Sequence, residues 1–181
     1  LTTSQPGDVM IEETDAITLT RVSTADGGVT VTAGGQMIAT EVTTLATDDD
    51  SNDILLTSTG AGIQVGLVRA GVQNDVTLDA QAGAITQDGD SQSNRLMQLA
   101  VDSLTANAAG GIDLDTQITR LDAATSAAGA VVIDESDALE LTDVSTAAGS
   151  ITVTAAGQVV AALVDSSATD DGARPIAITS T

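Results

Sequence analysis

The sequence contains no phenylalanine, tyrosine or tryptophan, although 42% of its 181 residues are apolar. A globular core of this size normally depends on aromatic rings for bulk and contact area. The interior must instead be filled by valine, isoleucine, leucine, alanine and methionine. This composition predicts a thin core in which short aliphatic side chains stack layer upon layer.

Cysteine, histidine and lysine are absent as well. These absences exclude a disulfide-stapled fold, zinc sites with thiolate or imidazole ligands, Ser-His-Asp and Cys-His nucleophiles, and Ser-Lys dyads. Paired carboxylates, the chemistry of many glycosidases, stay open as an alternative. However, the sequence offers neither aromatic platforms for sugar rings nor clustered cations for acidic sugars. We therefore expect that the protein is not an enzyme.

Positive charge is scarce, because five arginines face 26 acidic residues and the formal net charge is −21. Such a surface repels phosphate backbones and anionic lipids, so we expect no nucleic-acid binding and no membrane insertion in this segment. No apolar run approaches the ~20 residues that a membrane-spanning helix needs. High acidity attracts cations, and it also keeps a long apolar-cored molecule soluble.

The chain repeats itself at a spacing of about 122 residues. Gly7 aligns with Gly129, and the match runs without a gap to the last residue, with 29 of 53 pairs identical. We interpret residues 1–181 as one continuous solenoid segment, with a first long unit at 7–128 and a partial second unit at 129–181. Because the second unit stops partway, we expect the array to continue in a longer protein.

A shorter rhythm of alternating apolar pairs runs inside the long unit. Val29 and Val31 alternate with Thr30 and Thr32, which is the pattern of a strand with one dry and one wet face. Similar pairs recur mostly at intervals of roughly 19 to 25 residues, the length of one solenoid coil, and glycine-rich corners lie between them.

This rhythm predicts an all-β fold, namely a right-handed parallel β-helix (β-solenoid) with about 20 residues per coil and the 122-residue higher-order repeat. We expect about six coils in each long unit. A set of β-sandwich repeats is the alternative fold. The solenoid-length period and the lack of an aromatic core argue against it.

Several phrases resemble the repeats of filamentous-haemagglutinin-type adhesins and of very large bacterial surface proteins. They are GDVMI at 7–11, NDVTLDAQAGAITQ at 74–87 and GSITVTAAGQV at 149–159. The resemblance extends over essentially the whole chain. It implies an exported bacterial protein of the cell surface or of a fibre, whose repeats are structural and carry no catalytic residues.

Two acidic stretches are candidates for calcium loops. TDDDSND at 47–53 has the repeat partner TDDGARP at 169–175, and DGDSQSN at 88–94 places oxygen side chains at alternate positions. The sequence has no glutamate at the position where a bidentate ligand would close a calcium loop of that second kind. The candidate ligands are Asp48, Asp49, Asp50, Asp53, Asp88, Asp90, Asn94, Asp170 and Asp171. Hydrated turn loops without a metal are the alternative.

We expect this protein to be a structural segment of a long extracellular fibre, stalk or adhesin shaft on a bacterial cell surface. Its expected partners are copies of itself, through end-to-end continuation of the solenoid or of filament subunits, and components of the cell surface or matrix. No cofactor is expected, apart from the calcium just considered. A calcium- or glycan-binding adhesion module on the same solenoid is the alternative.

Overall fold

The computed structural model describes residues 1–44, 51–71, 73–88, 96–166 and 174–181, with the side chains of all of these except 96–101. All regular secondary structure in this part of the chain is β-strand, and every strand pair is parallel. In chain order the strands are β1 (Val9–Glu13), β2 (Ile17–Leu19), β3 (Val22–Thr24), β4 (Val29–Ala33), β5 (Met37–Thr44), β6 (Ile54–Ser58), β7 (Ile63–Ala70), β8 (Asp75–Ala80), β9 (Ile85–Gln87), β10 (Leu96–Ala108), β11 (Ile112–Ala128), β12 (Val131–Glu135), β13 (Leu139–Ala148), β14 (Ile151–Ala155), β15 (Val159–Ala161), β16 (Val164–Asp165) and β17 (Ile176–Ser180).

These strands wind into a β-solenoid of about 7 turns, which confirms the predicted fold class. Each coil carries up to three strand segments, and most segments pair with their counterparts in the next coil. Hydrogen bonds between parallel strands therefore run along the stack, at the usual spacing of about 4.8 Å per turn. Pairing of this kind rules out the β-sandwich alternative. The handedness of the coil stays a prediction.

The stacked segments form three columns. The first column contains β1, β4, β6, β8, the end of β10, the end of β11, the end of β13 and β16. The second contains β2, the start of β5, the start of β7, β9, the start of β11, β12, β14 and β17. The third contains β3, the end of β5, the end of β7, the start of β10 and the middle of β11. The start of β13 and β15 follow where the third column meets the first, since Leu141 is in register with Leu121 and Leu104 of the preceding turns.

The core is a single stack of aliphatic side chains inside these columns. Along β4, Val29, Val31 and Ala33 are buried and the threonines between them are partly exposed. Each inward residue packs between the residues at the same register one turn before and one turn after. Since burial of one CH₂ contributes about 0.8 kcal/mol, the long run of similar layers is the main source of cohesion.

Coil length varies while the columns stay in register. Ile85 pairs with Ile112, and Ile112 pairs in turn with Val131, so the earlier of these two coils is clearly the longer one. One tight corner is at Gly27, whose φ of +123° favours glycine and where a Cβ would lie 2.6 Å from the backbone of Gly7.

Candidate functional site

Most of the predicted calcium ligands lie outside the described residues. These are Asp48, Asp49, Asp50, Asp90, Asn94, Asp170 and Asp171. Of the strands that flank the two related stretches, β5 ends at Thr44 and β6 begins at Ile54, whereas β16 ends at Asp165 and β17 begins at Ile176.

The two described candidates are Asp53, which directly precedes β6, and Asp88, which directly follows β9. Asp53 is exposed, and its Oδ1 accepts a hydrogen bond of 2.9 Å from the backbone N–H of Asp75 in the next turn. Asp88 is half-buried, and its own N–H donates to the Val65 carbonyl at 2.9 Å. Its carboxylate lies over Gly66, where a Cβ would be 2.7 Å from Oδ2.

Within the described ranges, no group of three or more acidic side chains is arranged to hold a metal ion. The same part of the chain contains no helix long and apolar enough to cross a membrane.

Two pairs of aspartates stack on the outer surface of successive turns. Asp115 is the register partner of Asp134, and Asp122 is that of Asp143. Burial raises the pKa of Asp115, and the carboxylates of Asp134 and Asp113 raise it further, while a hydrogen bond with Gln87 opposes them. Like-charged neighbours one turn apart disfavour the ionised form of a carboxyl group. The register pairing also brings the two acidic groups of each pair to one place on the surface.

The second of these pairs follows the same rule. Burial raises the pKa of Asp122, and the carboxylate of Asp143 adds to the effect. One carboxylate oxygen of Asp143, Oδ1, is buried without a hydrogen-bond partner. Each pair therefore contains an aspartate that titrates above its ordinary range, and a bound cation would relieve the repulsion within each pair.

One arginine links three consecutive turns. The Arg120 guanidinium lies 2.7 Å from Asp102 Oδ2 and 3.5 Å from Glu140 Oε2, with all three side chains nearly half exposed. A second exposed pair joins Arg21 and Glu41 at 3.3 Å. Exposed ion pairs contribute little to stability, so these contacts mainly lower the electrostatic repulsion along the stack.

Glu135 is the one buried carboxylate among the residues described, with 1% of its surface exposed. Its Oε2 accepts hydrogen bonds of 2.9 Å from Thr116 Oγ1 and from the Ile118 N–H, both in the preceding turn. Its Oε1 accepts a third from the Asp137 N–H at 2.9 Å. Burial raises the pKa of Glu135, and these hydrogen bonds oppose the rise. The side chain therefore ties two successive corners together and has no access for a substrate.

Asparagines occupy the corner between the third and first columns. Asn52 and Asn74 are fully buried, one turn apart. The Gly27 N–H donates to Asn52 Oδ1, and the Asn52 N–H donates to Asn74 Oδ1 at 3.3 Å. This ladder of side-chain amides satisfies backbone donors at corners where the strand hydrogen bonds stop. It is a structural element, like Glu135.

A shallow surface groove of about 360 Å³ runs along the corner where the first column ends. Polar groups from three turns line it, including Asp79, Gln81, Asn107 and Ser126, with alanines between them. Gln81 Nε2 donates to Asp79 Oδ2 at 2.9 Å, so part of this polar surface is already paired internally. The groove can accept hydrogen-bonding ligands, but its lining offers no catalytic pair of carboxylates.

The comparisons with known proteins add no identity. No family model, no curated protein and no solved structure matches this chain. The resemblance to adhesin repeats therefore holds at the coarser level of β-helix repeat proteins, to which the solenoid architecture conforms.

The sequence analysis missed both Glu135 and the aspartate pairs. A signal for Glu135 was present, because Glu13 and Glu135 are identical residues at the same place in the two copies of the long repeat. A carboxylate at the end of a strand, followed by a small residue and aspartate, indicates a corner at which the carboxylate accepts hydrogen bonds from backbone N–H groups. The aspartate pairs depend on coil register, which the spacing of the apolar pairs did not reveal.

Proposed function

We propose that this protein is a structural segment of a long extracellular fibre, stalk or adhesin shaft on a bacterial cell surface. Its action is mechanical and positional, since it holds other parts of the protein at a distance or forms the body of a filament. Its partners are further solenoid coils of the same kind and components of the cell surface or matrix. The proposal includes no catalytic role.

The observation that supports this proposal is the unbroken aliphatic stack that passes through both copies of the repeat. Ile112, Val131 and Ile151 follow one another in one column across the boundary between the copies, each at most 1% exposed. A boundary between independent domains would break the core, and here the core continues. Units joined in this way form a stiff rod, because each coil contacts only its neighbours along one axis.

The acidic surface fits the same role. With a net charge of −21, rods of this kind repel one another side by side and stay dispersed outside the cell.

Electron microscopy of a tandem of several 122-residue units tests the proposal. We expect thin, unbranched rods whose length grows in proportion to the number of units. A single-unit protein and a tandem carrying a flexible glycine-serine linker between units are the matched controls. Compact particles, or a tandem that bends as freely as the control with the linker, would contradict a structural shaft.

A second candidate is a calcium-dependent adhesion module on the same solenoid. The stacked pairs Asp115–Asp134 and Asp122–Asp143 favour it, because their repulsion would be reduced by a divalent cation. Thermal melting with calcium, with magnesium and with sodium at equal ionic strength tests it. A calcium-specific rise that Asp134→Asn and Asp143→Asn abolish would support this module, and an equal response to all three salts would contradict it.

A further inference from the structure

The two copies of the long repeat occupy different faces of the solenoid. Val9 and Val131 are repeat partners, yet Val9 lies in the first column and Val131 in the second. Ile17 is the residue of the second column in the same turn as Val9. From it the second column passes through Met37, Ile63, Ile85 and Ile112 before it reaches Val131. Val131 is therefore five turns and one column beyond Val9.

The other strands of the second copy are displaced as well. The repeat partners of β1, β4 and β6 are β12, β14 and β17, which have moved from the first column to the second. The partners of β2 and the start of β5 are the start of β13 and β15, which have moved out of the second column to the place where the third column meets the first. The partner of β3 is the end of β13, which has moved from the third column to the first. The change of column therefore affects the whole unit and not a single strand.

The corners keep their hydrogen bonds although they have changed position. Thr24 Oγ1 donates to the Gly27 carbonyl at 2.6 Å, and its repeat partner Thr146 donates to the Gly149 carbonyl at 2.9 Å. The first bond closes the corner after the third column, and the second closes the corner after the first column.

A second corner repeats in the same way. Ser58 Oγ donates to the Gly35 carbonyl at 2.7 Å, and Ser180 Oγ donates to the Gly157 carbonyl at 2.7 Å. The Ile17 N–H donates to the Gln36 carbonyl at 2.9 Å, and its partner, the Leu139 N–H, donates to the Gln158 carbonyl at 2.9 Å. The local sequence therefore specifies the corner without specifying the face on which the corner lies.

The core accepts the displacement as well. Val31 in the first column and its repeat partner Val153 in the second are both completely buried. Because all three columns present the same short aliphatic side chains to the interior, one strand sequence fits any of them.

We infer that the 122-residue unit is a screw element that advances five turns and one column, so that equivalent surface features of successive units point to three different sides of the rod. One unit then rises by about 26 Å, and three units return to the starting face after sixteen turns, about 77 Å. This replaces the expected count of about six coils per unit, which is wrong.

The inference defines how repeated units present themselves to a partner. A partner that recognises one surface feature meets it on successive sides of the rod, about 26 Å apart along the axis, and on the same side only at every third unit. Ligands would be arranged around the rod as a spiral. This geometry rests on the registers within the chain and not on the proposed function, so it holds whether or not the protein forms a fibre.

Disulfide crosslinking of the intact chain tests the screw, since the sequence has no cysteine of its own. Val132 is the repeat partner of Met10 and is the outward register partner of Asp113 in the second column. If the unit contained a whole number of turns, Val132 would instead lie in the row of Met10, next to Thr105. That row runs through Met10, Thr30, Leu55, Thr77 and Thr105. The decisive variants are Asp113→Cys with Val132→Cys, and Thr105→Cys with Val132→Cys.

Two equivalent pairs serve as matched positive controls. They are Met10→Cys with Thr30→Cys, and Val132→Cys with Thr152→Cys. Each pair joins neighbours within one copy of the repeat, so its crosslinking does not depend on how the second copy is rotated relative to the first. Neighbouring parallel strands place Cα atoms about 4.8 Å apart, within the range that a disulfide spans. Mild oxidation, followed by peptide mapping by mass spectrometry, gives the extent of each crosslink.

We expect the pair at 113 and 132 to crosslink as fast as both controls, and the pair at 105 and 132 to be at least about tenfold slower. The reverse order of these two rates would overturn the screw and restore a unit with a whole number of turns. Failure of both controls would overturn it too, because the parallel registers on which it depends would then be absent.

Discussion

The stacked core makes a sharp prediction for one isoleucine that is present in both copies of the repeat. Ile133 is 1% exposed and packs between Leu114 in the preceding turn and Val153 in the following turn. Ile11, its repeat partner, is only half-buried and has one register partner, Val31. The same substitution to alanine therefore removes the same atoms from a complete layer and from an incomplete one.

The two environments give different losses of stability. Removing three carbon atoms costs about 2.4 kcal/mol in transfer free energy at ~0.8 kcal/mol each, and the cavity left in a closed layer adds to this. We expect Ile133→Ala to lower the free energy of unfolding by about 3–4 kcal/mol. Ile11→Ala should lower it by about 1–2 kcal/mol, because part of the side chain is already in water.

Guanidinium unfolding followed by far-ultraviolet circular dichroism measures both variants, since the chain has no aromatic residue to report by fluorescence. Hydrogen exchange adds the location of the loss, which for Ile133→Ala should extend to the turns of Leu114 and Val153. Equal losses for the two variants would refute the layered-core reasoning. A loss below about 1 kcal/mol for Ile133→Ala would refute it as well.

Three other perturbations have clear expected outcomes. Because burial raises the pKa of Glu135 above its ordinary value of 4.5, the folded state holds this proton more tightly, and its contribution to stability falls as pH rises from about 4.5 through the raised value. Glu135→Gln should flatten that fall in a series of melting curves, and a fall as steep as that of the unsubstituted protein would contradict this. Gly149→Ala should cost at least about 2 kcal/mol in denaturant unfolding, since the added Cβ would lie against the Gly129 carbonyl oxygen, and an unchanged midpoint would show that the corner can relax. Sodium chloride should raise the melting temperature by screening the net charge of −21, and a fall between low and physiological ionic strength would contradict this reasoning.

The sequence was sufficient to predict the class of fold because the decisive features are local. Alternation such as Val29-Thr30-Val31 specifies a strand with one dry face, and the corner after it requires little more than small residues. The missing aromatics pointed to a thin core, and the fully buried residues of the structure are indeed mainly small or medium aliphatic side chains. Each of these properties is set within one or two coils.

The candidate site was less predictable, because it depends on which residues meet between turns. Asp115 pairs with Asp134 and Asp122 pairs with Asp143, and the second pair is further apart in sequence than the first, so a single assumed coil length cannot align both. The bulge between Leu121 and Asp122 contributes one residue to this shift in register, and no composition rule marks its position. Of the predicted calcium ligands, Asp53 binds a backbone N–H of the next turn, a contact visible only once that turn is in place.

The coil count was wrong for a reason that also explains the screw. Pairs such as Val76/Leu78 and Ile112/Leu114 look alike in sequence, and counting one pair per coil assumes that they belong to one column. Val76 lies in the first column and Ile112 in the second, so the stretch between them contains one turn and one further column. Because the three columns accept the same side chains, the sequence period alone does not determine which column a strand occupies. Only the registers between turns determine it. A solenoid whose faces are chemically interchangeable can therefore repeat its sequence without repeating its orientation.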